Sequence, residues 1–560
     1  MKDTRVPESF DVVILGAGVN GAGLFRDLCE QGVRCLLVEK NDFGSGTSAA
    51  PSRLIHGGLK YLETGELGLV AESTLERNLL LKNAPHYVQP LSTVIPVFSW
   101  TNGIWPAVRT LFGSTTAPRS RGALLVKLGL TLYDFYGSRH RVMPRHRFLS
   151  RKRALHEIPA ITPDIVAAGN YYDARISHPE RLVLELVKDG LSACPTAAAV
   201  NATRLIKSDQ GHLTFRSHDD QTLVVKPRIV VNAAGPWIDT VNELLGEPTR
   251  LIGGTKGSHA ILDHPALIQA LDGRMIYFEA DDGRICLVFE YLGRVLVGST
   301  DIAADSPDDV RCEDSEITYF LDSLRSLFPQ LKFDREQVVY TYSGIRPLLA
   351  SDAAIPGLIS RDHSAPVLEP TESRPFPVYS LVGGKWTTFR GFAEEVTNSV
   401  LDRLGLERAL STKELAIGGG RNFPVGDKER EAWITELGRQ FGLSVQRAKQ
   451  LLQRYGTAAH QVAEHSGPWR DSERLPDSDT YSLAELDWIM TNEMVINLED
   501  VVMRRTTLAV TGTLTIRDLG AVAEVAAYRL QWSNERERAE VEHVAGRLRG
   551  RHHMKMAPSS

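Results

Sequence analysis

The chain has 560 residues, of which 42% are hydrophobic and 24% are charged, and this balance is typical of a globular protein with several folding units. The formal net charge of −5 excludes a protein whose whole surface binds nucleic acid. The five cysteines are scattered and form no CxxC pair, which argues against a zinc site or a disulfide framework and favours a reducing compartment. We predict no bound metal.

The N-terminal residues contain no apolar core of signal-peptide length, and no stretch of the chain approaches the roughly 20 apolar residues that span a bilayer. We therefore expect no export, and any membrane contact must come from one face. The apolar run Phe10–Leu15 predicts a buried parallel strand, and a glycine-rich turn and a helix to about Gln31 follow it. A second strand is predicted over Val33–Glu39, which completes the start of a right-handed crossover unit.

The remaining elements change in character along the chain. Helices are predicted over Glu63–Lys82 and Leu124–Tyr133. Mixed strands and helices are expected from about 170 to 400, and helices after a break near 404–422. The clearest of these are three strands and three helical stretches: Pro227–Ala234, Arg294–Ser299 and Val378–Val382, then Lys428–Ala463, Leu483–Met494 and Ile516–Arg549.

The turn GAGVNGAG contains GxGxxG, with its glycines at Gly16, Gly18 and Gly21. These glycines permit a tight turn, a close approach of the backbone to a pyrophosphate, and close packing of the helix on the strand. Glu39 ends the second strand, where a carboxylate accepts hydrogen bonds from a ribose hydroxyl and disfavours a 2′-phosphate. The element predicts a dinucleotide site and leaves FAD and NAD both open.

Two later segments favour FAD over NAD. PRIVVNAAGPWID (227–239) is a strand that runs into Ala-Ala-Gly, and LVGGKWTTFRGFAEE (381–395) is a strand, a Gly-Gly turn and a helix start. The second segment would present backbone N–H groups and a helix N-terminus to the pyrimidine end of a reduced flavin, where electron density accumulates.

With these motifs in place, the chain resembles the family of FAD-dependent, aerobic glycerol-3-phosphate dehydrogenases from about Asp11 to Thr506. The motifs that carry the resemblance are GAGVNGAG, SRLIHGGLKYLE, VNAAGPW, KGSH, VGSTD, YSGIRPL and GGKWTTFR, with MRRTT in the C-terminal region. The resemblance implies oxidation of sn-glycerol 3-phosphate to dihydroxyacetone phosphate, with electrons passed from FAD to quinone. It also implies a peripheral protein on the cytoplasmic face of the inner membrane; a homodimer is left open.

The implied fold is α/β: a Rossmann-like FAD-binding domain interleaved with a mixed-sheet substrate domain of the glycine-oxidase and D-amino-acid-oxidase type, followed by an α-helical domain. The oxidoreductase core is expected over 1–404, with FAD-binding segments at about 10–90, 160–250 and 340–400. The substrate-cap segments are expected at about 91–160 and 251–340, and the helical domain over 405–560.

Site residues follow from the resemblance position by position. The substrate-site positions fall on Lys60, Tyr61, His259, Arg346, Arg361, Lys385 and Thr387. The cofactor positions fall on Gly16, Gly18, Asn20, Gly21, Glu39, Thr47, Ser48, Ser52, Leu54, His56, Gly57, Gly58, Ala234, Gly235, Gly383, Gly384, Lys385 and Thr387. Lys60 departs from the arginine that is usual after HGGL; it keeps the charge but loses the bidentate fork.

The chemistry of the residues assigns roles within this set. Arg346 suits the substrate phosphate, because a planar donor fork matches phosphate oxygens, and Lys60, Arg361 and Lys385 are further cationic candidates. Oxidation also needs a base near the secondary hydroxyl, and His259 and His56 are the candidates. We favour His259, and we expect His56 to pack near the flavin. Arg346 would also stabilise alkoxide character in the transition state.

Residues 101–153 carry eleven Lys or Arg and one acid, a net charge of +10, with aromatic residues interleaved. With the apolar helix at 124–133, this composition predicts an element that lies on an anionic lipid surface; a solvated basic face or an intersubunit surface is the alternative.

Other functions stay open at this point. One is an oxidase that passes electrons to O2. Another is an amine or amino-acid oxidase of the same superfamily, although the cations near Arg346 favour a phosphate over a carboxylate. The last is a flavin-binding or membrane scaffold protein without catalysis.

Overall fold

The computed structural model describes residues 7–59, 66–100, 122–137, 143–280, 282–304, 306–350 and 362–556. The strands in chain order are β1 (Ser9–Leu15), β2 (Cys35–Val38), β3 (Leu54–Ile55), β4 (Val88–Val97), β5 (Arg147–Ser150), β6 (Ala167–Ile176), β7 (Ala198–Val200), β8 (Thr203–Asp209), β9 (His212–Ser217), β10 (Thr222–Asn232), β11 (Ile252–Leu262), β12 (Arg274–Glu279), β13 (Ile285–Tyr291), β14 (Arg294–Gly298), β15 (Ile302–Ala303), β16 (Val338–Leu349), β17 (His363–Ser364), β18 (Val367–Leu368), β19 (Val378–Ser380) and β20 (Val382–Gly383).

The helices follow the same order and include those predicted from periodicity. They are α1 (Val19–Glu30), α2 (Leu67–Asn83), α3 (Ala123–Tyr136), α4 (Arg151–Glu157), α5 (Pro179–Ala193), α6 (Ile238–Leu244), α7 (Pro265–Leu271), α8 (Asp314–Leu327), α9 (Phe389–Leu404), α10 (Asp427–Phe441), α11 (Val445–Tyr455), α12 (Ala459–Glu464), α13 (Leu483–Asn492), α14 (Leu498–Asp500), α15 (Ile516–Leu530) and α16 (Asn534–His552). α14 continues into a π-helical turn, Val501–Arg505.

Local signals set several of these boundaries. α5 begins with Pro179 at its first position and Glu180 in its first turn, as the missing N–H of proline and the helix dipole favour. α8 begins with a capping box between Glu313 and Glu316. The long predicted stretch 516–549 is two helices, because Gln531 ends α15 in the left-handed conformation and Ser533 caps α16.

The first sheet is built on parallel strands in the order β19-β10-β1-β2-β7, with β18 antiparallel at one edge and β8 and β9 as an antiparallel extension of β10. Both of its faces are buried: α1, α5 and α9 cover one, and β8 and β9 contribute to the apolar core on the other. This arrangement explains the continuous apolar runs in β1 and β2.

The second sheet is mixed and runs β15-β11-β14-β13-β12-β4-β6-β3, with β16 paired to β11 and β5 paired to β6. Helices α7 and α8 pack on one face. The C-terminal helices share an apolar core with strands of the same sheet, including Phe289 and Tyr340. The predicted fold class, an α/β oxidoreductase core with a C-terminal helical domain, is confirmed.

Some strands of the second sheet lie in segments that were expected to bind FAD. They are β3 in the segment 10–90, β6 in 160–250 and most of β16 in 340–400. The physical reason is pairing: β6 pairs with β4 along its ten residues, from Val88↔Ile176 to Val97↔Ala167, and β16 pairs with β11 from Ile252↔Leu349 onward. No helix within the described ranges is long and apolar enough to cross a bilayer.

Candidate active site

A cavity of about 380 Å³ lies at the carboxyl ends of β1, β2 and β10, where the first sheet faces β11 and β16 of the second. The carboxyl edge of a parallel sheet is where open α/β folds bind nucleotides, because loops and helix N-termini converge there. One wall comes from the glycine turn after β1, from Glu39 and from the Ala234–Gly235 turn. His259 on β11 and Arg346 on β16 line the cavity from the second sheet.

The turn after β1 has the geometry that its glycines predict. Gly16 has φ +104°, and a Cβ there would lie 2.7 Å from the carbonyl oxygen of Ala233 in the neighbouring strand connection. A Cβ at Gly21 would collide with the carbonyl oxygen of Gly16, so this glycine lets α1 pack on the turn. Gly18 lines the cavity directly before α1 begins. The N-terminus of α1 therefore points its dipole at the cavity.

Glu39 is fixed by backbone donors on both oxygens. Ala17 N donates to Oε2 at 2.7 Å, and Asn41 N donates to Oε1 at 2.9 Å. Burial raises the pKa of the Glu39 carboxyl, and these two N–H groups offset the rise only in part. The carboxylate oxygens lie at the cavity wall, where a ribose hydroxyl of a bound dinucleotide would donate to them.

The turn after β20 also lines the cavity. Thr387 Oγ1 accepts from His56 N at 3.2 Å, and Trp386 Nε1 donates to Ser48 O at 3.2 Å. Asn20 Nδ2 donates to Gly383 O at 3.5 Å. Segments far apart in sequence thus form one surface of backbone groups, which fits the donor set that a flavin and its pyrophosphate need.

His259 lies on β11, buried, with its ring stacked on Tyr342 at 4.9 Å between centroids. Its Nε2 lies 3.0 Å from Ser52 Oγ, which also lines the cavity. Its buried Nδ1 has no hydrogen-bond partner within the described part of the chain. Burial, and then the charges of Arg346 and Arg53, hold the pKa of His259 well below its ordinary value. The imidazole is therefore neutral at neutral pH and able to accept a proton.

Arg346 lies on β16, opposite Thr255 of β11. Its Nη1 donates to Asp301 Oδ1 at 2.8 Å, and its Nη2 donates to Ser299 Oγ at 2.9 Å and to Thr300 O at 3.1 Å. These bonds fix the plane of the guanidinium at the cavity wall. A planar, permanently charged group held in this way is suited to phosphate.

The structure places most of the predicted residues on this one cavity. The cavity-lining members of the cofactor set are Gly16, Gly18, Asn20, Glu39, Thr47, Ser48, Ser52, Leu54, His56, Ala234, Gly235, Gly383, Gly384, Lys385 and Thr387. His259 and Arg346 join them, whereas Lys60, Tyr61 and Arg361 lie outside the described residues. Lys385 is nearly buried, and its Nζ donates to Ser73 Oγ at 3.1 Å.

Gly21, Gly57 and Gly58 do not line the cavity. Gly57 N donates to Tyr133 Oη at 2.8 Å and to Asp173 Oδ1 at 3.1 Å. The HGG loop is therefore held from behind by α3 and β6, and its glycines shape the backbone that carries His56.

Three supporting residues were missed by the sequence reasoning. Asp301 orients Arg346, Tyr342 stacks on His259, and buried Arg53 lowers the pKa of His259. All three stand inside motifs that carry the family resemblance: VGSTD, YSGIRPL and SRLIHGG. Their position in those motifs was the only signal available, because their partners come from other strands.

Comparison with known proteins agrees with the fold. The family described as FAD dependent oxidoreductase matches residues 11–398, and the one described as the C-terminal domain of alpha-glycerophosphate oxidase matches residues 410–537. A glycerol-3-phosphate dehydrogenase of Synechocystis sp. is 32% identical over 549 residues, 94% of each chain. The aerobic glycerol-3-phosphate dehydrogenase of Bacillus subtilis is 27% identical over 556 residues, 96% of this chain and 94% of that one.

Solved structures share the fold. The glycerol-3-phosphate dehydrogenase of Bacillus halodurans complexed with FAD has a TM-score of 0.75 at 23% identity, over 97% of this chain and 95% of that one. The FAD-bound L-alpha-glycerophosphate oxidase of Mycoplasma pneumoniae has a TM-score of 0.52 at 17% identity, over 71% of this chain and 95% of that one. Fold and site together define a FAD-dependent oxidoreductase. Within that class, the chain belongs to the family of FAD-dependent glycerol-3-phosphate dehydrogenases.

Proposed function

We propose that the chain oxidises sn-glycerol 3-phosphate to dihydroxyacetone phosphate and passes the electrons to quinone at the cytoplasmic face of a membrane. The observation that supports the first part most strongly is the pair of His259 and Arg346 on neighbouring strands of one cavity wall. A neutral base beside a fixed cation matches a substrate that carries a phosphate dianion next to a secondary alcohol.

The reaction breaks the C2–H and O–H bonds of the alcohol and forms a ketone. Bound FAD supplies the acceptor for the hydride, which carries both electrons. Arg346 holds the phosphate and so fixes C2 relative to the cavity wall. His259 takes the hydroxyl proton at Nε2, the ring nitrogen that contacts the cavity-lining hydroxyl of Ser52. Lys385 and Thr387 also line this space.

A specific electrostatic change accompanies substrate binding. Arg346 lowers the pKa of His259 in the free protein, after the larger effect of burial. A phosphate dianion on Arg346 compensates that positive charge, so we expect the pKa of His259 to rise when the substrate binds. The substrate itself thereby increases the basicity of the group that deprotonates it.

The decisive experiment is an anaerobic titration of the yellow protein with sn-glycerol 3-phosphate. Bleaching of the flavin absorbance is expected, with glycine or D-alanine, which carry a carboxylate, as control substrates. Bleaching by the amino acids alone would favour an amine or amino-acid oxidase. The absence of bleaching by every substrate would favour a scaffold protein without catalysis.

An outward-facing apolar stripe on α3 supports the membrane part of the proposal. Leu128 and Phe135 are 59% and 71% exposed, and Leu124 and Leu132 complete the stripe at helical spacing. The opposite face of α3, with Val126 and Leu130, is buried against β4 and β6.

The surroundings of the stripe favour an anionic lipid surface as its occupant. Phe98 and Trp100 are exposed just before this region, and Ala123 N donates to Ser99 O at 2.9 Å, which brings them to the start of α3. The segment 101–153 carries a net charge of +10 on a protein that is acidic overall. An apolar stripe flanked by basic residues is typical of an element that lies in the membrane interface.

Vesicle sedimentation tests whether the apolar stripe of α3 binds an anionic lipid surface. We expect binding to vesicles with about 30% phosphatidylglycerol that weakens as salt rises, by charge screening. The double variant Leu128→Asp and Phe135→Asp should lose binding, whereas Val425→Asp, at an exposed apolar residue of the C-terminal domain, should keep it. Equal binding by both variants would exclude the stripe as the docking site.

The second candidate acceptor is O2, with hydrogen peroxide as product. The match of residues 410–537 to a family described from an alpha-glycerophosphate oxidase favours it. Reduction of a quinone analogue is measured beside the yield of peroxide in air. Stoichiometric peroxide together with slow quinone reduction would replace the quinone part of the proposal.

A further inference from the structure

The motif MRRTT lies in the C-terminal domain, outside the cavity, yet its arginines reach the loop that follows β2. This loop, residues 40–46, contributes Lys40, Asn41, Ser45 and Gly46 to the cavity wall. Asp42 stands in the middle of the loop and turns away from the cavity, because its carboxylate is buried against the C-terminal domain.

The carboxylate of Asp42 is held by two guanidinium groups. Arg505 donates from Nη1 to Oδ2 at 2.7 Å and from Nη2 to Oδ1 at 2.8 Å, the bidentate arrangement. Arg504 donates from Nε to Oδ2 at 2.6 Å, and Asn201 Nδ2 donates to Oδ1 at 3.0 Å. Burial alone would raise the pKa of Asp42, but the two arginines outweigh it and lower the pKa to about 2. The ion pair is therefore formed throughout the physiological pH range.

The loop is short and internally bonded, so the position of Asp42 sets the position of the cavity wall. Ser45 N donates to Asp42 O at 3.0 Å. On the other side, Asn41 N donates to the Glu39 carboxylate at 2.9 Å, and Asn41 O accepts from Ala202 N at 2.5 Å. A displacement of Asp42 would thus reach Glu39, where the ribose is expected, within three residues.

The arginines are themselves anchored on both sides. Arg505 Nε donates to Glu493 O at 3.1 Å, and Arg504 pairs with Glu499 and Asp500. Arg181 of α5 binds the Glu493 carboxylate at 2.6 and 2.9 Å and also donates to Arg505 O at 3.1 Å. The network is continuous from the core of the FAD-binding unit, through the C-terminal domain, to the cofactor loop.

We propose that Arg504 and Arg505 are positioning residues for FAD, through which the C-terminal domain holds the ribose-side loop of the cofactor site. Docking of the C-terminal domain and binding of FAD are then thermodynamically linked. Each strengthens the other by the same factor. This inference concerns cofactor retention and does not depend on the substrate or on the electron acceptor.

The test is the dissociation rate of FAD from the holoprotein, followed by flavin fluorescence after dilution. Arg505→Lys keeps the charge but loses the bidentate fork, and we expect FAD to leave about tenfold faster, equivalent to about 1.4 kcal/mol. The matched control is Arg447→Lys, a buried arginine of the same domain that pairs with Asp471 and Glu485 and does not touch the loop. The control should keep the wild-type rate within about twofold, although it loses a comparable ion pair.

Similar rates for Arg505→Lys and Arg447→Lys, or an unchanged rate for Arg505→Lys, would overturn the proposal in favour of a general stability effect. If Arg505→Lys does not fold, the milder Arg504→Lys decides by the same criterion, since Arg504 makes a single bond to Asp42. Hydrogen exchange of the amides at 493–507 supplies the reciprocal measurement. It should be slower in the wild-type holoprotein than in the apoprotein, and equal exchange in both forms would contradict the linkage.

Discussion

Replacement of His259 by glutamine separates catalysis from binding. Glutamine keeps a polar group within reach of Ser52, but it cannot take a proton near neutral pH. A positioned general base contributes about 10²–10⁴-fold, so kcat should fall by that factor, or by about 2.7 to 5.4 kcal/mol in activation free energy. KM should change little, because Arg346, which we expect to hold the phosphate, keeps its bonds to Asp301 and Ser299.

The pH dependence of turnover gives a second test, because a loss of stability alone would not separate the acid limb of kcat from that of kcat/KM. Burial and the two neighbouring arginines place the pKa of His259 well below its ordinary 6.5 in the free protein. The acid limb of kcat/KM, which reports the free protein, should therefore lie well below pH 6.5. The acid limb of kcat reports the substrate complex and should lie at higher pH, because the bound phosphate compensates the charge of Arg346.

The same depressed pKa affects folding. Below about pH 6.5 the unfolded chain binds a proton at His259 that the folded chain does not bind, so the stability of the wild type falls as pH drops through this range. His259→Gln should lose this part of the acid dependence. His178, also buried with a pKa well below its ordinary value but outside the cavity, is the matched control.

The kcat and KM of His259→Gln and of the control His178→Gln are measured by steady-state kinetics with an artificial electron acceptor under anaerobic conditions. His178→Gln should lose part of the acid dependence of stability and keep kcat. An unchanged kcat in His259→Gln, or acid limbs of kcat and kcat/KM that coincide in the wild type, would remove His259 from the mechanism.

Three further changes test other parts of the site. Arg346→Lys should raise KM for glycerol 3-phosphate about 10- to 100-fold, since a charge-assisted hydrogen bond contributes about 1.5–3 kcal/mol, and a saturation curve checks it. Gly16→Ala should yield a colourless protein, because a Cβ there would lie 2.7 Å from Ala233 O at φ +104°; absorbance at 450 nm in a folded product would contradict this. Tyr133→Phe removes the hydroxyl that accepts from Gly57 N at 2.8 Å, so kcat should fall severalfold with FAD content unchanged, as turnover per bound flavin shows.

The dinucleotide half of the site was predictable because its requirements are local. A tight turn with backbone close to a phosphate needs glycine at fixed spacing, and an acid at the end of the next strand follows from the geometry of one crossover unit. The structure places Gly16, Gly18 and Glu39 at the cavity wall as that argument requires. The helices were predictable for the same reason, since an amphipathic period is a property of a single segment.

The rest of the candidate site depends on contacts between residues that are far apart in sequence, and no local pattern specifies such contacts. Asp42 and Arg505 are 463 residues apart, and His259 and Ser52 are 207 apart. β6 and β16 lie within the expected FAD-binding segments but pair with β4 and β11 of the second sheet, and the sequence of a strand does not specify its partner. Lys60, Tyr61 and Arg361 remain predictions.

Two glycines in the sequence nevertheless indicate a contact between distant residues. His259 and Arg346 are large side chains on paired strands, and a one-residue slip of register would turn either of them away from the cavity. A Cβ at Gly298 would collide with the His259 ring, and a Cβ at Gly257 would collide with the Arg346 guanidinium. The glycines of VGSTD and KGSH thus make the space into which the imidazole of His259 and the guanidinium of Arg346 fit. A strand glycine in such a motif therefore indicates close packing by a side chain of a partner strand, and the two glycines together point to the pair His259 and Arg346 rather than to either residue alone.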